Sequence, residues 1–143
     1  MALAFGFSAG DIITGITLVK DLIIAIQDSK GSSKEYLELI SELRGLESAL
    51  LEVKKLSFRS EQHQQQAVLR EAVIRCRTCI DDFLTTMTKY HSHLRLDGSQ
   101  RPWQDAIRKI QWRLSKKEDI ERFRSAIVFH TQTLQILLIT TQL

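Results

Sequence analysis

LREAVIRCRTCIDDFLTTMTKYHSHL, residues 69–94, carries the clearest pattern in this chain of 143 residues. Large, mostly apolar side chains recur alternately every four and every three residues along it, at Leu69, Val73, Cys76, Ile80, Phe83, Met87, Tyr90 and Leu94. Because an α-helix turns once in about 3.6 residues, this spacing places all of them along one line of a helix. The stretch is therefore predicted to form a long helix whose apolar seam packs against neighbouring helices.

Two break points divide the rest of the chain into further helices. They lie at residues 28–33 and 97–102, and the second ends at Pro102, the single proline of the sequence. We predict main helices at 8–28, 33–57, 60–95 and 116–141, with a short connecting helix at 102–114. S-x-x-E capping boxes that begin at Ser32 and Ser115 mark two of the starts, and the glutamine-rich residues 62–66 are interpreted as a polar helix start. The predicted fold is all-α: one domain, residues 1–143, forming an antiparallel bundle of four main helices plus the connecting helix.

The first and last helices carry apolar side chains on more than one face. Most apolar residues of the first helix form one stripe, but Ile13 and Ile24 lie on its polar side. The last helix places Phe129 and Ile136, with Val128 and Ile139, opposite its inward stripe. A helix that is apolar nearly all round is normally buried or binds a partner. We therefore expect this chain either to be the front part of a longer protein or to dock through its last helix in an oligomer.

Motifs that support catalysis are missing from the sequence. It contains no glycine-rich phosphate loop, no dinucleotide fingerprint and no nucleophile elbow. Cys76 and Cys79 form a C-x-x-C, which lies in the middle of a predicted helix and is interpreted as core cysteine rather than a metal or redox site. The adjacent Asp81 and Asp82 are typical of a solvated helix face. We expect no catalytic residue, no metal, no cofactor and no enzymatic activity.

Charge is concentrated in one segment. The whole chain has a formal net charge of only +3, too small to indicate a nucleic-acid partner, whereas residues 101–124 hold eight basic and four acidic side chains. Such a segment can approach anionic lipid or an acidic protein surface. The alternative is an ordinary solvated face with ion pairs between successive turns. Neither a secretory signal nor a membrane span is found, which predicts a cytoplasmic protein. The basic segment is the feature through which it could be recruited to a membrane.

Two stretches resemble a known family. Residues 5–11, FGFSAGD, followed by an isoleucine-rich helix, resemble the opening of the helical N-terminal domains of fungal STAND (NLR-like) receptors, a group that overlaps the HeLo-like domains. Residues 110–120, IQWRLSKKEDI, and the leucine-rich helix after them are similar to that family's closing pattern. The resemblance implies a helical bundle placed ahead of a nucleotide-binding, repeat or ubiquitin-like region, with no catalytic residue. Some members of the family insert their first helix into membranes after oligomerisation.

These observations predict a non-enzymatic N-terminal effector or adaptor domain of a fungal STAND-type or related signalling protein. It would act by self-association and membrane contact in programmed cell death or incompatibility, with another copy, a downstream signalling protein and anionic lipid as partners. The alternative is a constitutive docking scaffold without membrane activity. The expected contact residues are Phe5, Phe7, Ile13 and Ile24 for apolar insertion and Arg108, Lys109, Arg113, Lys116 and Lys117 for electrostatic approach. Exposure of Ile13, Ile24, Phe129 and Ile136 would favour the effector.

Two further expectations concern packing. The seam positions Val73, Cys76, Ile80 and Phe83 are predicted to be the most buried part of the chain. On a helix at 102–114 the two tryptophans point to opposite sides because they are nine residues apart. Trp112 is predicted to be the buried anchor of the connecting segment, and Trp103 to be partly exposed.

Overall fold

The protein folds into four long helices. A computed structural model describes residues 9–29, 33–89, 107, 110, 112 and 115–142. The helices are α1, Ala9–Asp28; α2, Lys34–Lys54; α3, His63–Lys89; and α4, Lys117–Gln142. No strand occurs in these ranges, so the all-α prediction is confirmed. The predicted connecting helix falls mostly outside them, although Ile107 is helical and Trp112 lies in a 3₁₀ turn.

The end of α2 and the start of α3 differ from the predicted bounds because residues 55–62, which link the two helices, form their own hydrogen bonds. After Lys54 the amides of Lys55 and Leu56 bond carbonyls three residues back, which tightens and ends α2 before the predicted residue 57. The turn that follows is closed by Gln62, whose side-chain oxygen accepts from the Arg59 amide at 3.0 Å. Helix α3 therefore begins at His63 and not at residue 60.

Helices α2 and α4 each start one residue later than predicted, at Lys34 and Lys117. The N-cap of α2 is Ser33, whose hydroxyl accepts from the Tyr36 amide at 3.4 Å, and the predicted cap Ser32 lies outside the described residues. Helix α4 begins at Lys117, and two amides of its first turn bond the Lys116 carbonyl. The Ser115 amide instead donates to the carbonyl of Trp112, which fixes Ser115 in the preceding turn.

The four helices form a ring in which each helix packs on two others. The main contacts run from α1 to α2, from α2 to α4, from α4 to α3 and from α3 to α1, so α1 and α4 occupy opposite corners. Consecutive helices run antiparallel, as predicted. Helices α2 and α4 lie side by side in the same direction, since Lys117 meets Glu35 at their starts. Arg124 meets Glu38 further on, one turn along α2 and two turns along α4. The link at 55–62 consequently crosses the base of the bundle.

The predicted seam of α3 forms the centre of the core. All six of its described positions are buried, at Leu69, Val73, Cys76, Ile80, Phe83 and Met87. The expectation that the seam positions at 73–83 are the most buried is wrong, because Val19 and Leu22 of α1 and Leu39 and Leu43 of α2 are buried just as completely. Each helix packs on two others, so each contributes an enclosed apolar stripe. Trp112 is buried, as predicted, while Trp103 lies outside the described residues.

Candidate functional site

Cys76 of α3 is buried in the core, and Cys79 is partly buried against it. Neither forms a disulfide, and burial raises the pKa of Cys76 to about 12 and that of Cys79 to about 11. For Cys79 the nearby charge of Asp82 adds to the effect. Thiols with such pKa values stay protonated near neutral pH and are poor nucleophiles. No cluster of three metal-binding side chains occurs in the part of the chain that the structure describes.

A cavity of about 290 Å³ opens between α3 and α4. The stacked rings of Phe83 and Phe123, with centroids 3.8 Å apart, line it together with Asp82, Asp119 and Arg122. Arg122 lies 3.7 Å from Asp119, so two of the charges pair with each other at its edge. The cavity thus combines aromatic walls with a charged rim, and the thiol that borders it, Cys79, is held protonated.

The described part of the basic segment is tied to the carboxylates of two helices. Lys116 and Lys117 are exposed at the start of α4. The Lys117 ammonium lies 3.4 Å from a Glu35 oxygen on α2 and 4.0 Å from one of Glu121 on α4. Lys117 helps to lower the pKa of Glu35, after that residue's own backbone hydrogen bond. The Lys117 ammonium therefore joins α2 to α4 while its side chain remains exposed to solvent. The predicted contact residues Arg108, Lys109 and Arg113 lie outside the described residues.

Helix α1 exposes the two isoleucines that its pattern singles out. Ile13 and Ile24 are 48% and 54% exposed, on the same side of the helix and about 17 Å apart along its axis. Thr17 and Lys20 lie between them, and the Lys20 ammonium is 3.8 Å from a Glu47 oxygen of α2. The two isoleucines are therefore separate apolar positions rather than one patch. Phe5 and Phe7, predicted to extend this surface, lie outside the described residues.

The described apolar and basic contact residues lie on different helices. Ile13 and Ile24 belong to α1, whereas Lys116 and Lys117 stand at the start of α4, and these two helices occupy opposite corners of the ring. Their joint use in membrane contact therefore stays a prediction.

Helix α4 carries three of the large apolar side chains that are exposed among the described residues. Phe129, Ile136 and Ile139 are 63%, 61% and 62% exposed, and with Gln132 they follow a three, four, three spacing. We refer to these four residues as the α4 outer face. No Asp, Glu, Lys or Arg occurs between residues 125 and 142. The sequence had indicated these apolar side chains, but the contact prediction placed its residues on α1 and the basic segment instead.

Comparison with known proteins gives one family. The family model described as Pigment biosynthesis cluster protein PigL N-terminal matches residues 9–143, which include all four helices. Neither the curated proteins nor the solved structures give a match. The match does not identify a STAND or HeLo-like domain, so that resemblance stays a prediction. Within the ranges described above, no helix has both the length and the apolar character that crossing a bilayer requires.

Proposed function

The chain belongs to the family described as Pigment biosynthesis cluster protein PigL N-terminal, and we propose that it acts as a non-enzymatic helical effector or adaptor domain. In this proposal it belongs to a fungal STAND-type or related signalling protein and acts by self-association in cell death or incompatibility. The observation that carries the proposal is the exposure of Ile13, Ile24, Phe129 and Ile136. If other helices of the chain had covered these side chains, the apolar surface on which the proposal rests would be lost.

Exposure on α4 carries more weight than exposure on α1. Single apolar side chains on a surface are ordinary, since more than half of a protein's accessible surface is apolar. Three large ones on one helix face are unusual for a monomer and mark interaction sites. Truncating them would not weaken the core, because the inward positions of α4, such as Ile127 and Leu134, are separate and fully buried. The α4 outer face is therefore free to serve association.

Forced dimerisation tests the effector proposal. The chain is expressed in a fungal host as a fusion to a domain that dimerises on addition of a small molecule. An effector that acts by self-association gains avidity when two copies are joined, so loss of viability is expected only after the dimeriser is added. Cells that express the dimerising domain alone are the control.

Two results would point to the constitutive docking scaffold instead. Viability that does not change when the dimeriser is added contradicts the effector proposal. A growth defect of equal size with and without the dimeriser does so as well, because self-association would then not be the trigger.

The proposal also includes contact with anionic membrane lipid. It rests on the exposed Lys116 and Lys117 and on Ile13, and it is measured by co-sedimentation with neutral and anionic vesicles at low and physiological salt. Lys116→Glu with Lys117→Glu, and separately Ile13→Asp, should reduce sedimentation with anionic vesicles. The matched control reverses Lys54 and Lys55, which are exposed at the opposite end of the bundle. Equal losses in control and test variants, or no sedimentation of the wild type, would refute lipid contact.

A further inference from the structure

The α4 outer face has the spacing of a helix-pairing seam. Phe129, Gln132, Ile136 and Ile139 repeat at the intervals that place side chains toward a second helix in a coiled coil. The inward seam of α4, which includes Ile120, Phe123, Ile127, Leu134 and Leu138, is already buried in the bundle. Helix α4 therefore carries two seams, and only one of them has a partner within the described chain.

The charge of the surrounding surface selects the kind of partner. Side chains beside the outer face, such as Thr133, Gln135 and Thr140, are uncharged, as is every residue from 125 to 142 apart from titratable His130. A partner recognised through charge would find no Asp, Glu, Lys or Arg on this stretch of α4. Arg75, whose charge acts on His130, belongs to α3. A second copy of the chain presents the same neutral surface, so the two copies meet without repulsion between like charges.

The order of residues along the α4 outer face allows it to pair with the same face of a second copy running in the opposite direction. In an antiparallel pair that places Gln132 opposite its own counterpart, Phe129 of one copy lies within one residue, about 1.5 Å along the axis, of Ile136 of the other. A side-chain amide both donates and accepts, so two facing glutamines can satisfy each other. A polar residue at one seam position also fixes the register of a helix pair.

We propose that two copies of this chain pair antiparallel through their α4 outer faces. This pairing rests on the self-association in the proposed function and identifies the surface through which that association occurs. The three exposed apolar side chains present on the order of 400 Å² per copy, about half of the roughly 800 Å² that each partner buries in a standard stable interface. The dimer is consequently weak and forms at high local concentration. A trigger that brings copies together would populate it.

Sedimentation equilibrium over a wide range of protein concentration tests the pairing. We expect the wild type to change from monomer to dimer reversibly, and Ile136→Asp to weaken the dimer by at least about tenfold because each pair would bury two charges. Leu37→Asp is the matched control, since this leucine is similarly exposed, at 57%, but lies on α2. Circular dichroism checks that both variants keep the fold.

Cross-linking tests the register. Gln132→Cys should form a disulfide-linked dimer on mild oxidation, whereas Thr17→Cys, on the exposed side of α1, should not. A wild type that stays monomeric at all concentrations refutes the proposal, as does a dimer that Ile136→Asp leaves unchanged. If Ile136→Asp lowers only vesicle binding, the face is a membrane surface and the proposal is wrong. Forced dimerisation does not depend on this surface, so a viability response without α4 pairing would leave the effector proposal intact.

Discussion

Replacing Phe83 by alanine measures how much the aromatic centre of the bundle contributes to stability. Phe83 is buried, stacks on Phe123 with nearly parallel rings 3.8 Å apart, and lies 6.0 Å from the Trp112 ring. Truncation of a buried phenylalanine costs about 3 to 5 kcal/mol through lost transfer energy and the cavity left behind. The ring already borders an opening of about 290 Å³, so part of the new space joins an existing one. We therefore expect the lower half of that range, about 3 to 4 kcal/mol.

Equilibrium unfolding in urea, followed by circular dichroism, gives the measurement. With a slope of about 2 kcal/mol per molar urea, the midpoint should fall by roughly 1.5 to 2 M. Phe129→Ala is the matched control, because the same ring is removed from an exposed position and the expected change is within about 0.5 kcal/mol. A cost below about 1 kcal/mol for Phe83→Ala, or equal costs for the two variants, would refute the register assigned to α3.

Three further predictions concern single groups. The Tyr36 hydroxyl donates a buried hydrogen bond to the Trp112 carbonyl, so Tyr36→Phe should lower the free energy of unfolding by about 1 to 3 kcal/mol; an unchanged urea midpoint would contradict this. Burial, with a smaller effect of Arg75, lowers the pKa of His130 from its usual 6.5. The unfolded chain therefore takes up a proton that the folded chain does not, and stability should fall as the pH drops below about 6.5. His130→Gln should lose this part of the pH dependence between pH 7.5 and 5.5, and an identical pH profile for the two proteins would refute it. Burial, reinforced by Asp82, raises the pKa of Cys79 to about 11. Alkylation of this thiol at pH 8 should then be on the order of 100-fold slower in the folded protein than in denaturant, and equal rates would show that the thiol is not buried.

The sequence predicted the candidate surface in part. Its helical periodicity placed Ile13, Ile24, Phe129 and Ile136 away from the inward stripes, and the structure finds all four exposed. It could not show that α1 and α4 lie at opposite corners. Helix order around a bundle depends on how four apolar stripes pack together, and no local spacing records it. The same holds for the Lys117 charge, whose pairing with Glu35 joins residues that are distant in sequence.

What the sequence determined by itself is the set of helices and the inward face of each, because apolar spacing within one helix is a local property. The tertiary structure decided what depends on contacts between distant residues. Gln62 is the clearest example: it was interpreted as part of a polar helix start, yet its side-chain nitrogen donates to the Thr141 carbonyl at 3.2 Å. A buried amide at that point is stable only because the end of α4 supplies a carbonyl, since a polar group removed from water needs a partner. Packing between helices brings that carbonyl to Gln62. The same packing leaves the α4 outer face without a partner among the described residues.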